Sequence, residues 1–199
     1  MALSPLLLPQ AELLFDAAFL PAQEAADLLT QFSAEVAWEQ RSIRIFGQQV
    51  PQPRLTAWYG DSAARYSYSG LTWEPRPWLP ALLALRQRLE AATGNRFNSV
   101  LLNHYRDGRD SMGWHSDDEP ELGPAPVIAS LSLGATRRFR LRPRAGLTYS
   151  PLGLDLPTGS LLLMRGPTQQ HRQHALPKTA RPTGPRLNLT FRWVETVIE

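Results

Sequence analysis

The sequence predicts an α+β fold: an antiparallel sandwich or jelly roll, braced on one sheet by helices that come before it in the chain. Three observations carry that expectation. Up to Gly94 the apolar residues recur at helical spacing in two stretches, whereas from Ser99 onward the period falls to two. The period-two runs are short and separated by Gly, Pro and Asp, as the strands of an antiparallel barrel or sandwich are. Helices first and strands afterwards sort into layers rather than alternating βαβ units. At 199 residues the chain can bury one real core but leaves no room for a second catalytic domain. We therefore expect a single structural domain, in which residues 1–98 pack on a strand-built core of residues 99–199.

The elements follow in order. LSPLLLPQAELLFDAAFL, near the start, is apolar but too short to span a bilayer, is interrupted by Pro and acids, and lacks a basic leader. It points to a soluble, cytoplasmic chain with no membrane partner. Beyond Pro21, which suits a first helical turn, Ala25, Leu28, Leu29, Phe32 and Val36 share the face of one amphipathic helix. A second helix is expected in PWLPALLALRQRLEAATG, where Leu82, Leu85 and Leu89 share a face and Gly94 stands where a C-terminal cap belongs. Between the helices, residues 38–78 are aromatic and rich in turn residues. The strands then follow as SVLLNHY, PVIASLSLG, RRFRLR, GSLLLMR and RLNLTFRWV.

Composition narrows the chemistry. With 43% hydrophobic and 20% charged residues, and no repeat or heptad run, the chain is an ordinary globular one. It has no cysteine, so disulfides and thiolate metal sites are excluded, and any metal must be held by His and carboxylates. A net charge of +3 is too small to establish a polyanion partner. Of the 21 basic residues only Lys178 is lysine. Arginine suits bidentate grips on carboxylate and phosphate, although a GC-rich genome produces the same bias.

Two groups of residues carry the chemistry. In GWHSDDEPEL, His115 and Asp117 stand two apart, so an extended backbone turns both side chains to one side. The histidines downstream are His171 and His174, and spacing alone does not choose between them as a third ligand. Two His and one carboxylate on one face of a metal leave the opposite positions open, the arrangement of non-haem iron oxygenases. In RLNLTFRW, Arg186, Asn188, Thr190 and Arg192 share one face of a strand while Leu187, Leu189 and Phe191 take the other. That polar face is either an exposed edge or a grip for a dicarboxylate. In RRFRLRPR, Arg138, Arg140 and Arg142 alternate outward, giving a basic stripe suited to phosphates or to plain solvent exposure.

NHY, WHSDDE, IASLSLG, HALP and RLNLTFR, in that order, cover roughly residues 99 to 194, and IFG, WYGD and YSYSGLTW extend the pattern back to about residue 44. This ordered set resembles the AlkB dioxygenases, and among them the branch acting on double-stranded DNA. The resemblance implies a double-stranded β-helix form of the jelly roll, with nucleotide-recognition hairpins in the N-terminal half. It implies iron(II) held by His115, Asp117 and His174, leaving His171 as a hydrogen-bonding neighbour or a surface residue. It implies 2-oxoglutarate held by Asn103, Tyr105, Arg186 and Arg192, with Asn188 and Thr190 on the same face, and dioxygen as the oxidant. His104, turned the other way, is then structural.

The same resemblance implies a substrate. Oxidation of an alkyl carbon on 1-methyladenine or 3-methylcytosine, coupled to conversion of 2-oxoglutarate to succinate and carbon dioxide, would release formaldehyde and the repaired base. Tyr66 and Tyr68 match the base-stacking segment, and Asp118 and Glu119 match acidic positions around the flipped base. Ile45, Phe46 and Gly47 match a hairpin tip that wedges into duplex DNA. The expected partner is alkylated DNA, double-stranded first and single-stranded DNA or RNA as alternatives, bound by a monomer. A hydroxylase or demethylase of RNA, protein or a small molecule is the competing reading.

Overall fold

The computed structural model describes residues 3–45, 47–64, 66–68 and 71–195, with the backbone alone for 43–45, 66–68 and 71–73. Strands β1 (Ser4–Leu8) and β2 (Ala11–Asp16) form a hairpin ahead of helix α1 (Ala22–Glu35). The segment before the second helix holds two further hairpins, β3 (Ser42–Ile45) with β4 (Gln48–Pro51) and β6 (Tyr66–Tyr68) with β7 (Leu71–Trp73), with strand β5 (Leu55–Gly60) between them. Helix α2 (Pro80–Thr93) ends at Gly94, whose φ of 68° takes up the left-handed cap that the sequence predicted. The remainder is β8 (Ser99–Tyr105), β9 (Met112–His115), β10 (Ile128–Gly134), β11 (Arg137–Pro143), β12 (Leu152–Leu156), β13 (Leu161–Arg165), a single helical turn α3 (Thr168–His171), β14 (Arg172–Leu176) and β15 (Arg186–Arg192).

These strands build a jelly roll of two sheets. The larger runs β1-β2-β13-β10-β15-β8-β5 and the smaller β12-β11-β14-β9, with all pairings antiparallel. Helices α1 and α2 cover the outer face of the large sheet. Ala25 and Phe32 from α1 and Leu82, Leu85 and Leu89 from α2 join Val100, Leu102, Leu131, Leu133, Leu187, Leu189 and Phe191 in one core. Each of these large side chains contributes about 1.5–3 kcal/mol on burial, which is why the helices stay on the sheet although neither has a side-chain N-cap.

Between the sheets the interior divides into two ends. Leu13, Ile128, Phe139, Leu141, Leu156, Leu162 and Met164 fill one end with hydrocarbon. The other end is lined by polar side chains from β8, β9, β10, β14 and β15. The α+β jelly roll braced by N-terminal helices is the fold the sequence predicted. The N-terminal apolar stretch departs from the reading, because it supplies two strands of the large sheet. Strand β2 has apolar packing on both of its faces, so its side chains show no alternation and give no period-two signal. Strand β1 carries Pro5 at the sheet's edge, where a missing N–H costs little. No helix among the described residues is long and apolar enough to cross a membrane.

Candidate metal centre and substrate cleft

Strand pairing assembles the centre. His115 ends β9, and His174 sits opposite it in β14. Asp117 follows His115 two residues later, its backbone N–H donating to Gln169 Oε1 at 3.0 Å. Between them the Ser116 hydroxyl donates to the Arg172 carbonyl at 2.9 Å, which draws Ser116 inward and returns His115 and Asp117 to one side. The ligand atoms of His115, Asp117 and His174 then lie within 4.8 Å of one another. His171 ends α3, half-exposed and outside this group.

The donor set fits a divalent ion. Asp117 is 3% exposed, its Oδ1 accepts from Arg192 Nη2 at 2.5 Å, and its Oδ2 is buried without a hydrogen-bond partner. An orphaned carboxylate oxygen beside two imidazoles is a seat for a cation. Burial works against the Asp117 carboxylate, yet the Arg192 guanidinium and the two imidazoles hold its pKa below the ordinary carboxylate value. Burial, with His115 beside it, pushes His174 down to about 3, so at neutral pH the ring is uncharged and has no proton to lose before it binds a metal. His115 Nδ1 lies 2.9 Å from the Gly113 carbonyl. In the tautomer that donates this bond, Nε2 is left to ligate.

Beneath the centre lies a small interior cavity of about 40 Å³, lined by Asn103, Tyr105, Arg186, Asn188, Thr190 and Arg192 together with the metal-binding candidates. Arg186 is 2% exposed, and its Nη2 donates to Ser132 Oγ at 2.9 Å while its Nε is unpartnered. Its guanidinium lies 5.4 Å from the Tyr105 ring, and burial pushes its pKa down to about 10. It has no carboxylate partner among the described residues, and a buried cation of that kind is a receptor for an anion. Asn103 holds its place by accepting from Arg54 Nε at 2.7 Å, and Asn188 by donating to Ser130 Oγ at 2.8 Å. His104 turns to the other face of β8 and packs on Trp38, ring centroids 5.1 Å apart.

Above the centre opens a cleft of about 610 Å³. Asp118 and Glu119 both line it: Asp118 is exposed and paired with Arg144 at 2.7 Å, and Glu119 is half-buried with Oε2 unpartnered. The two cavities share His115, Asp117 and Arg192 in their walls. The predicted wedge falls on the turn of the β3–β4 hairpin, where Ile45 pairs with Gln48 and Gly47 has a φ of 81°. Phe46 itself lies outside the described residues, as do the side chains of Ile45, Tyr66 and Tyr68. On β11, Arg138, Arg140 and Arg142 point outward and Phe139 and Leu141 inward, as expected.

Several residues escaped the sequence reading. Gln169 and Arg172 are 1% exposed and brace the segment from Ser116 to Asp117. Trp58 is 5% exposed and lines the cleft. Arg172 is itself held by the carbonyls of Pro9 and Ser150. Gln169 sits in the single turn α3 and Arg172 opens β14, and neither element is long enough before it for a period to mark the residue as buried. Only WYGD among the weaker motifs pointed toward Trp58.

Comparison with known proteins agrees with this geometry. The chain is 48% identical over 184 residues to mouse alpha-ketoglutarate-dependent dioxygenase alkB homolog 3, covering 88% of this chain and 64% of that protein, so it spans just under two thirds of that relative's length. It is 41% identical over 178 residues to human DNA oxidative demethylase ALKBH2, covering 85% of this chain and 68% of that protein. The solved structure of OsALKBH1 shares the fold, with a TM-score of 0.65 at 18% identity over 96% of this chain and 99% of that one. Residues 13–192, most of the chain, match one family: the chain belongs to the 2OG-Fe(II) oxygenase superfamily.

Proposed function

We propose that this protein is an iron(II)- and 2-oxoglutarate-dependent dioxygenase that removes alkyl groups from N-alkylated DNA bases such as 1-methyladenine and 3-methylcytosine. Family membership implies iron(II), 2-oxoglutarate and dioxygen. The observation that carries the reading is the shared wall: His115, Asp117 and Arg192 stand where a small anion-receiving cavity meets a cleft large enough for a nucleobase. The names of the relatives, dioxygenase and DNA oxidative demethylase, support the same class of substrate.

In this reading His115, Asp117 and His174 hold iron. Arg186 and Tyr105 hold the far carboxylate of 2-oxoglutarate, with Asn103, Asn188 and Thr190 completing the walls. Arg192, expected with Arg186 to grip 2-oxoglutarate, lines the same cavity and also donates to Asp117, which steadies that carboxylate for ligation. When bound, the iron centre supplies the oxidation of an unactivated C–H bond coupled to decarboxylation of the co-substrate. The protein's part is positioning and exclusion of water. A target base must leave the stack to reach the cleft floor, and alkylation that blocks pairing lowers the cost of extrusion. In this reading Asp118 and Glu119 accept hydrogen bonds from an exocyclic amino group, Tyr66 and Tyr68 stack on the base, and Phe46 with Ile45 and Gly47 fills the vacated stack in a duplex. Residues 1–98, which also lend β1, β2 and β5 to the large sheet, then carry the recognition hairpins, and residues 99–199 carry the oxidising centre of one domain.

The test is release of formaldehyde and succinate from methylated oligonucleotides, single- and double-stranded, with and without added iron. Iron-dependent release is expected. No turnover on either lesion in either strand context overturns the substrate assignment. Phe46→Ala is expected to lower turnover on duplex alone, and an equal loss on single strands would remove the wedge and the double-strand preference.

A further inference from the structure

We infer that the outer face of the small sheet, at the lip of the cleft, is a binding track for single-stranded nucleic acid. On this track Trp114 stacks the base next to the one being processed, and Arg142 and Arg140 take the adjoining phosphates. The inference rests on the dealkylase reading for what occupies the cleft, but the residues lie outside the metal and co-substrate sites.

Trp114 is 38% exposed on β9, the edge strand of the small sheet. It precedes His115 directly and lines the cleft. One residue from a metal-binding candidate, this large ring keeps over a third of its surface in water, with the Arg142 guanidinium as a packing neighbour. Its place is one nucleotide's reach from a base seated over His115. Every base has a π face, so a single indole can stack any neighbour.

The cations beside it are arranged for the same strand. The Arg142 guanidinium lies 4.3 Å from the Trp114 ring centroid. Its Nε and Nη2 both donate to Gln173 Oε1, at 3.2 and 2.9 Å. The fork is therefore fixed by one glutamine, and Nη1 has no protein acceptor among the described residues. Gln173 lies opposite Arg142 in the β11–β14 pairing and itself lines the cleft, which puts Arg142 at the cleft end of the stripe. Arg140, the next outward residue, is exposed with no ion pair among the described residues. Arg138, farthest along, is occupied by Asp155 at 3.2 Å. The positive charge available to a phosphate is thus concentrated next to the indole. Arg144, two residues beyond Arg142 along the chain, is already neutralised by Asp118.

The occupant is a single strand because stacking on Trp114 needs a base face that a duplex keeps covered. The experiment uses the full chain with Trp114→Ala, Trp114→Phe and Arg142→Ala, each checked by thermal melting. One readout is fluorescence anisotropy with a labelled, undamaged single-stranded hexanucleotide across a salt series. Trp114→Ala is expected to weaken binding about 10-fold and Trp114→Phe to restore most of it. Arg142→Ala is expected to weaken binding and to reduce the slope of log affinity against log salt by about 0.7, the loss of one phosphate contact. A second readout is the rise in kcat/KM as a methylated substrate is lengthened from mononucleotide to trinucleotide, which Trp114→Ala should shrink. Binding within twofold of the unaltered protein for both Trp114→Ala and Arg142→Ala overturns the track. An equal loss on blunt duplex overturns the single-strand assignment. If the unaltered protein turns over no methylated substrate while Trp114→Ala still weakens hexanucleotide binding, the dealkylase reading falls and the track stands.

Discussion

The two ends of the jelly-roll interior lie between the same two sheets and are filled with different chemistry. At one end β10, β11, β12 and β13 meet through Ile128, Phe139, Leu141, Leu156, Leu162 and Met164, which need nothing beyond each other. At the other end the interior-facing positions of β8, β10 and β15 carry Asn103, Tyr105, Ser130, Ser132, Arg186, Asn188, Thr190 and Arg192. There Asp117 Oδ2, Arg186 Nε and Arg192 Nε remain buried without hydrogen-bond partners. One end is complete in the folded chain. The other is complete only when a cation and an anion are added, and the difference teaches where the fold's stability ends and its function begins.

The comparison breaks most sharply at Asp117. Asp117→Ala is expected to lower affinity for manganese(II), titrated calorimetrically as a stand-in for iron, by at least about 100-fold, because it removes a ligand where loss of a mere supporting hydrogen bond already costs 10- to 100-fold. Wild-type affinity in that variant would remove the residue from the centre. Leu162→Ala, at the hydrocarbon end, should lower unfolding stability by about 2–5 kcal/mol in a denaturant titration while leaving metal affinity in place. Arg186→Met should do the reverse. It removes a buried cation without a carboxylate partner, so stability without ligands should hold or rise, whereas KM for 2-oxoglutarate should increase about 10- to 100-fold with the loss of a charge-assisted hydrogen bond. A large stability loss in Arg186→Met with an unchanged KM would reverse the assignment of the two ends. Gln169→Leu tests the boundary: stranding the Asp117 N–H should cost about 1–3 kcal/mol and weaken metal binding together.

How much of this was legible depends on the range over which each signal acts. The split of β15 into a polar and an apolar face was readable because strand alternation is a property of adjacent residues. So was the outward stripe of Arg138, Arg140 and Arg142, and so were the apolar faces of both helices. The pairing of His115 with Asp117 was local too. Motif order carried the family because several weak local patterns multiply. Strand β2 was not readable, since burial on both faces erases alternation, and neither were Gln169 and Arg172, whose partners lie dozens of residues away in the chain.

By itself the sequence determined the class of fold, the absence of thiolate chemistry, and which faces of which strands could carry a metal and a dicarboxylate. Spacing left His171 and His174 open and motif order chose His174; the tertiary structure supplies the reason, the pairing of β14 with β9 across more than fifty residues. Only the tertiary structure set Trp114 under Arg142 at the cleft lip and left Asp117 and Arg186 with unpartnered atoms. Period and motif are written in neighbouring residues, whereas burial, orphaned charge and the meeting of two cavities arise from contacts that exist only once distant strands have paired.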